Sequence, residues 1–336
     1  MAQARIREIE GPLDAAGLRA LVQGYAPAVL RGVARDWPLV RAAAQSDEAA
    51  CEHLLGFDRG ASAEAFVGAP EIQGRFFYAE DMRGFNFERR KGRFADLLRY
   101  VLALKDRREA PAVYAGAVET AQALPGFAAA NPLPALAGFD AEPRIWIGNA
   151  ASITTHFDAS DNIACVAAGR RRFTLFPPEQ TPNLYVGPLD HTVAGQPLSM
   201  VDMAAPDLER FPRFTQAQEA ALVAELEPGD AIFIPALWWH QVDALSPFNL
   251  LVNFWWTDSP DQDARFDAMV HAILTISHLP PERREAWAAF FDSFVFQRHG
   301  DPAGHMAPEH RGVLGEPTPQ LRQYIKQYLA RGLNRP

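Results

Sequence analysis

The chain has 336 residues, with 41 acidic against 32 basic side chains and a formal charge of -9. That length carries one elaborated domain or two ordinary ones, and the negative balance argues against a broad cationic surface for nucleic acid or anionic lipid. Two cysteines, Cys51 and Cys165, exclude a disulfide scaffold and a thiolate zinc site, and they fit a reducing cytoplasm in which both act as small buried apolar residues.

The opening "MAQARIREIEGPLDAAGL" lacks the apolar core of a signal peptide, and no window approaches the roughly 18 apolar residues of a membrane span, so a cytoplasmic protein with no membrane partner is expected. From about 11 to 110 the pattern is mostly helical, interrupted by extended pieces such as "PAVLRG" (27–32) and "RFFYAED" (75–81). "FADLLRYVLAL" (94–104) has apolar residues at helical spacing, and prolines and glycines punctuate the stretch from 110 to 143.

Then the period shortens. "AVYAGA" (112–117), "RIWIG" (144–148), "SITTHFD" (152–158), "NIACVAA" (162–168), "RRFTLF" (171–176), "AIFIP" (231–235) and "LLVNFWW" (250–256) read as strands, with turn signals in "PPEQTP" and "EPGD" (227–230). Many short strands separated by turns predict a jelly roll. From 261 the helical period returns: Phe266, Met269, Val270 and Ile273 form one apolar stripe, Trp287, Phe290, Phe291 and Phe294 a second, and Leu321, Tyr324, Ile325 and Tyr328 lie on a last helix. No internal repeat is visible. The expected organisation is one domain over 1–336, mainly β: an N-terminal helical and mixed elaboration (1–110), a jelly-roll core (111–260) and a C-terminal helical region (261–336).

Within the β region stands "THFDASDN" (155–162). On a strand, His156 and Asp158 share a face and present an imidazole beside a carboxylate. A third candidate, His240 in "IPALWWHQV", lies 84 residues later, a separation that a jelly roll closes by bringing distant strands together. Two histidines and one carboxylate with open positions suit a non-haem Fe(II) oxygenase. A hydrogen-bonded core histidine is the competing reading of His240. The other seven histidines show no ligand spacing.

"THFDASDNIACVAAGRRRFTLFPPEQ", "ELEPGDAIFIPALWWHQV" and "LVNFWW" resemble the JmjC-type, cupin-like 2-oxoglutarate oxygenases. Within them the chain is most similar to the branch of the asparaginyl hydroxylase that inhibits hypoxia-inducible factor. The likeness is strongest over 110–260, and "APAVLRGVARDWPLV" (26–40) resembles the opening of those proteins. It implies a double-stranded β-helix, His156, Asp158 and His240 as Fe(II) ligands, Tyr114, Asn162 and Asn253 around 2-oxoglutarate, and Trp255 lining the substrate cleft.

Where this branch carries a lysine for the distal carboxylate of 2-oxoglutarate, the chain has Arg171. Strand alternation puts Arg171, Phe173 and Leu175 on one face and Arg170 and Arg172 on the other, and a guanidinium can hold a carboxylate through two hydrogen bonds. Ile153 replaces a hydroxyl residue, with Thr154 or Thr155 available to compensate. The resemblance implies a 2-oxoglutarate-dependent dioxygenase, a hydroxylase acting on a polypeptide side chain. The segment 74–90 supplies groups for a peptide groove, and the C-terminal helices a homodimer contact. Nucleic acid is not expected despite the short "ERRKGR" run. Three alternatives stay open: an oxygenase for a small metabolite, a different metal-dependent cupin enzyme, and a cupin-like module that binds a metal or small acid without turnover.

Overall fold

Runs rich in β-branched and aromatic side chains, too short for helices, pair as strands. In the computed structural model, which describes residues 4–333 apart from 258, 260 and 262, they build two mixed sheets. The chain divides into two units, residues 1–262 and 263–336.

In the first unit, the six-stranded sheet runs Ala4–Arg5, Leu222–Leu226, Arg171–Phe176, Trp239–Ala244, Ser152–Phe157, Arg75–Phe76. The nine-stranded sheet runs Arg7–Glu10, Ala28–Arg31, Ala231–Ile234, Asp161–Ala168, Asn249–Trp256, Pro143–Gly148, Ala112–Glu119, Ser62–Gly68, Phe87–Arg93. Phe173, Leu175 and Leu226 from the first sheet meet Val166, Ile232 and Ile234 from the second in one buried cluster, so the sheets face each other as in a jelly roll.

The outer face of the nine-stranded sheet is covered by helices. Phe94–Leu104 buries Phe94, Leu98 and Val101, spaced one turn apart, against Val113, Ile145 and Ile147 of the sheet, and each such side chain contributes about 1.5–3 kcal/mol. Helix Ala15–Gly24 starts at Asp14, whose Oδ1 accepts from Gly17 N at 2.7 Å, and helix Asp47–Leu55 starts at Ser46, whose Oγ accepts from Ala49 N at 3.1 Å. Asp161–Ala168 lies at the centre with both faces covered, which explains its unbroken run of small apolar residues, free Cys165 among them.

The N-terminal elaboration is less helical than its sequence suggests. Residues 62–93 hold strands Ser62–Gly68, Arg75–Phe76 and Phe87–Arg93, which extend the nine-stranded sheet at one edge and the six-stranded sheet at another. "ERRKGR" lies wholly on the edge strand, where Arg89 and Arg90 pair with Glu64 and Glu88 at 3.0 and 2.9 Å. Part of its charge is answered within the protein, and the run also guards an exposed edge.

The second unit holds helices Asp263–Ile276, Pro281–Phe294 and Pro319–Leu333. Trp287, Phe290, Phe294, Tyr324 and Tyr328 are exposed. Among the described residues no helix is long and apolar enough to cross a membrane.

Candidate metal centre

Strands Ser152–Phe157 and Trp239–Ala244 pair antiparallel with His156 directly opposite His240, so both imidazoles project from the same face. Their ring centroids are 4.3 Å apart. Asp158 follows the end of the first strand, where its carbonyl accepts from Leu237 N at 2.8 Å and ties the two ligand-bearing segments together. One ligand atom from each of His156, Asp158 and His240 lies within 4.8 Å of the others, and His240 Nε2 is 3.8 Å from Asp158 Oδ2. The two histidines and the carboxylate expected from the sequence are thus brought together.

The tautomers follow from the main chain. His156 Nδ1 lies 2.9 Å from the Thr154 carbonyl and His240 Nδ1 3.0 Å from that of Trp238. A carbonyl oxygen only accepts, so each Nδ1 carries the proton and each Nε2 keeps a free lone pair. Burial, then the neighbouring His240, pulls the His156 pKa down to about 4 against the opposing pull of Asp158. The ring is therefore neutral, the form that binds a metal.

Asp158 Oδ2 accepts from Asn162 Nδ2 at 3.2 Å and from Trp255 Nε1 at 3.0 Å. Trp255, expected as a cleft wall, thus also holds a candidate ligand. Asn253, buried beside Asn162, accepts from Trp146 Nε1 at 2.6 Å.

Arg171 lies in the same cavity, which measures about 580 Å³ and also receives Tyr114, Asn162, Asn253 and Trp255. Its side chain is buried, and Nε has no hydrogen-bond partner among the described residues. Burial lowers its pKa to about 10, while Tyr114 pulls the other way. Burial likewise pushes the Tyr114 phenol up, against the pull of Arg171. Arg172 instead pairs with Glu225 at 2.6 Å and Arg170 is exposed, as alternation requires. Ile153 and Thr154 line the cavity, whereas Thr155 turns to Gln241 Oε1 at 3.3 Å.

Sequence reasoning placed the segment 74–90, with Arg89, beside the cleft but passed over Arg144 on the rim. Arg144 stands 5.4 Å over the Trp255 ring and 3.4 Å from Glu119, and Arg89 donates to the Val193 carbonyl at 2.6 Å, fastening a loop segment to the cavity edge. Trp146 was missed too. Alternation in "RIWIG" carried the signal, because Arg144 and Trp146 share the face opposite buried Ile145 and Ile147.

The donors fit a ferrous ion: two neutral imidazoles and one hard anion, with no further carboxylate or thiolate in the cluster among the described residues. Arg171, with Nε unpartnered among the described residues, fits the carboxylate of a small acid, since a buried charge without a counter-ion is costly.

The cupin-like domain family matches residues 15–262. HSPB1-associated protein 1 from Homo sapiens is 33% identical over 151 residues, 44% of this chain and 30% of that protein. Lysine-specific demethylase JMJ31 from Arabidopsis thaliana is 37% identical over 114 residues, 34% of this chain and 20% of that protein. tRNA wybutosine-synthesizing protein 5 from Danio rerio is 36% identical over 150 residues, 40% of this chain and 43% of that protein. The matched stretch spans less than half the length of each of these relatives.

Proposed function

Because the chain belongs to the cupin-like domain family, of the JmjC type, we propose that it is an Fe(II)- and 2-oxoglutarate-dependent oxygenase that hydroxylates a polypeptide side chain. The observation that carries this reading is buried Arg171, with no anion paired to it among the described residues, in the same cavity as His156, Asp158 and His240. A ferrous ion bound there would supply activation of dioxygen coupled to oxidative decarboxylation of the 2-oxo acid. His156 and His240 offer Nε2 lone pairs fixed by main-chain carbonyls two residues earlier, and Asp158 adds the anion. Arg171 receives the distal carboxylate in a site screened from water, where a charged hydrogen bond is strong. Tyr114, Asn162 and Asn253 border the same acid, and Trp255 braces Asp158 while forming the cleft wall.

A polypeptide substrate agrees with the name of the human relative, which associates with another protein, and with that of the plant relative, which acts on lysine. The zebrafish relative is named for tRNA. The acidic balance of this chain and the internal pairing of its basic edge strand favour the polypeptide. The narrower likeness to the asparaginyl hydroxylase branch rests on the residues quoted from the sequence, and Arg171 and Ile153 depart from it. A cytoplasmic location, suited to two free, buried cysteines, belongs to the same reading.

The test is succinate formation from 2-oxoglutarate with Fe(II) in air, by wild type and His240→Ala, followed by turnover stimulated with the peptide-rich and the small-molecule fractions of one extract. Succinate from wild type alone, increased by the peptide fraction, is expected. Binding of 2-oxoglutarate without succinate would make the protein a non-catalytic module. Stimulation by small molecules only would make it a metabolite oxygenase.

A homodimer through the C-terminal helices completes the proposal. Trp287, Phe290 and Phe294 form an exposed aromatic stripe on Pro281–Phe294, larger than a solvated helix face requires.

A further inference from the structure

We infer that Trp146 is a positioning residue of the metal centre: its indole N–H orients two buried amides in series and so fixes the donor presented to Asp158. The inference rests on the ligand assignment proposed above. The series runs in one direction. Trp146 Nε1 donates to Asn253 Oδ1 at 2.6 Å, Asn253 Nδ2 to Asn162 Oδ1 at 3.4 Å, and Asn162 Nδ2 to Asp158 Oδ2 at 3.2 Å.

An indole N–H can only donate, and an ionised carboxylate can only accept. Each end of the series therefore permits one orientation of the amide beside it, and the middle bond requires both orientations at once. Flipping either amide would set oxygen against oxygen or N–H against N–H. Asn162 and Asn253 are only 5% and 2% exposed, so a flipped amide would trade its protein partners for at most the solvent of the cavity it lines.

Trp146 is itself held in place. The pairing of Ala112–Glu119 with Pro143–Gly148 breaks between Ala115 and Val118, where Ala117 takes a left-handed φ of 51°. A Cβ on Gly116 would lie 2.5 Å from Trp146 Cζ3, so glycine leaves the room that the indole fills. Tyr114 stacks on the ring at 5.6 Å and 28°, and Trp255 meets it nearly perpendicular at 5.6 Å and 83°. The bulge thus seats an indole whose two ring neighbours are a candidate co-substrate contact and the second donor to Asp158.

The test is a Mn(II) titration followed by electron paramagnetic resonance, which needs no turnover, on wild type, Trp146→Phe, Asn162→Ala and their double variant, with thermal unfolding recorded for each. Trp146→Phe keeps a ring and removes the donor. It should weaken Mn(II) binding about tenfold, as outer partners of metal ligands do. Asn162→Ala should cost a similar factor, and the double variant no more than Asn162→Ala alone. Should Trp146→Phe not fold, Asn253→Ala breaks the series at its middle and replaces it in the cycle. Unchanged affinity in Trp146→Phe, or losses that multiply in the double variant, would overturn the positioning role. If wild type and His240→Ala bind Mn(II) equally, the ligand assignment falls and the positioning role falls with it. Binding that depends on His240 but ignores Trp146 removes the positioning role alone.

Discussion

Replacing Arg171 by methionine should make the ligand-free protein more stable and at the same time deprive it of its acid co-substrate. Arg171 is 3% exposed, its Nε has no partner among the described residues, and burial brings its pKa from the ordinary arginine range to about 10. At about 1.4 kcal/mol per pH unit, a depression of that size costs the folded, charged form about 3 kcal/mol. Below pH 10 the group is charged in the folded and unfolded chains alike, so the cost is present in full at neutral pH. As pH rises through 10 the folded chain releases its proton first, and the cost fades. Methionine fills much of the same volume beside Phe173 without a charge to desolvate, so Arg171→Met should raise the melting temperature near pH 7.5 by roughly 5 °C, with the gain shrinking above pH 10. With Mn(II) present, 2-oxoglutarate should stabilise wild type through a charged hydrogen-bond pair of about 1.5–3 kcal/mol, and its affinity for Arg171→Met should be lower by the matching factor, on the order of 10- to 150-fold. Differential scanning fluorimetry across pH and a 2-oxoglutarate titration give both numbers. A less stable ligand-free variant, or equal affinity for the acid, would refute the reasoning.

Alanine at His156, Asp158 or His240 should abolish stoichiometric Fe(II) or Mn(II) binding with the circular dichroism spectrum unchanged, as metal analysis of the three variants will show. Gly116→Ala should destabilise the protein by about 1–3 kcal/mol in urea, because the new Cβ meets the Trp146 ring at 2.5 Å; a neutral substitution would mean that the indole is loosely seated. Light scattering should report a dimer for wild type and a shift towards monomer for Phe290→Glu, and a monomeric wild type would dismiss the dimer.

The sheet core was legible because its strands combine β-branched and aromatic runs with turn residues between them, and "RRFTLF" even disclosed which of its arginines turns inward. The edge strand Phe87–Arg93 was not. It is exposed along nearly its whole length, so no alternation marks it, and only pairing with Ser62–Gly68 makes it a strand. Only the turn "EPGD" (227–230), read as lying between two strands, pointed to Leu222–Leu226; its start after helix Phe214–Ala220 is unmarked in composition, and Arg171–Phe176 and Ala4–Arg5 flank it in the sheet. His240 reads as a residue after a turn, yet it sits in the strand Trp239–Ala244, opposite His156. At the site, residue types and spacing were readable and hydrogen-bond direction was not: nothing in "LVNFWW" says that Asn253 accepts from an indole on the adjacent strand.

The three candidate ligands are oriented by different means. Both histidines are aimed by main-chain carbonyls two residues earlier, that of Thr154 within its strand and that of Trp238 just before its strand, which no side-chain substitution removes. Asp158 is aimed by Asn162 and Trp255, whose side chains can change one codon at a time. Mutational drift can therefore rework the cavity wall, and with it the choice of substrate, without disturbing the imidazoles. A change in the anion's pose, and so in which divalent ion is preferred, needs only one of those two neighbours to change.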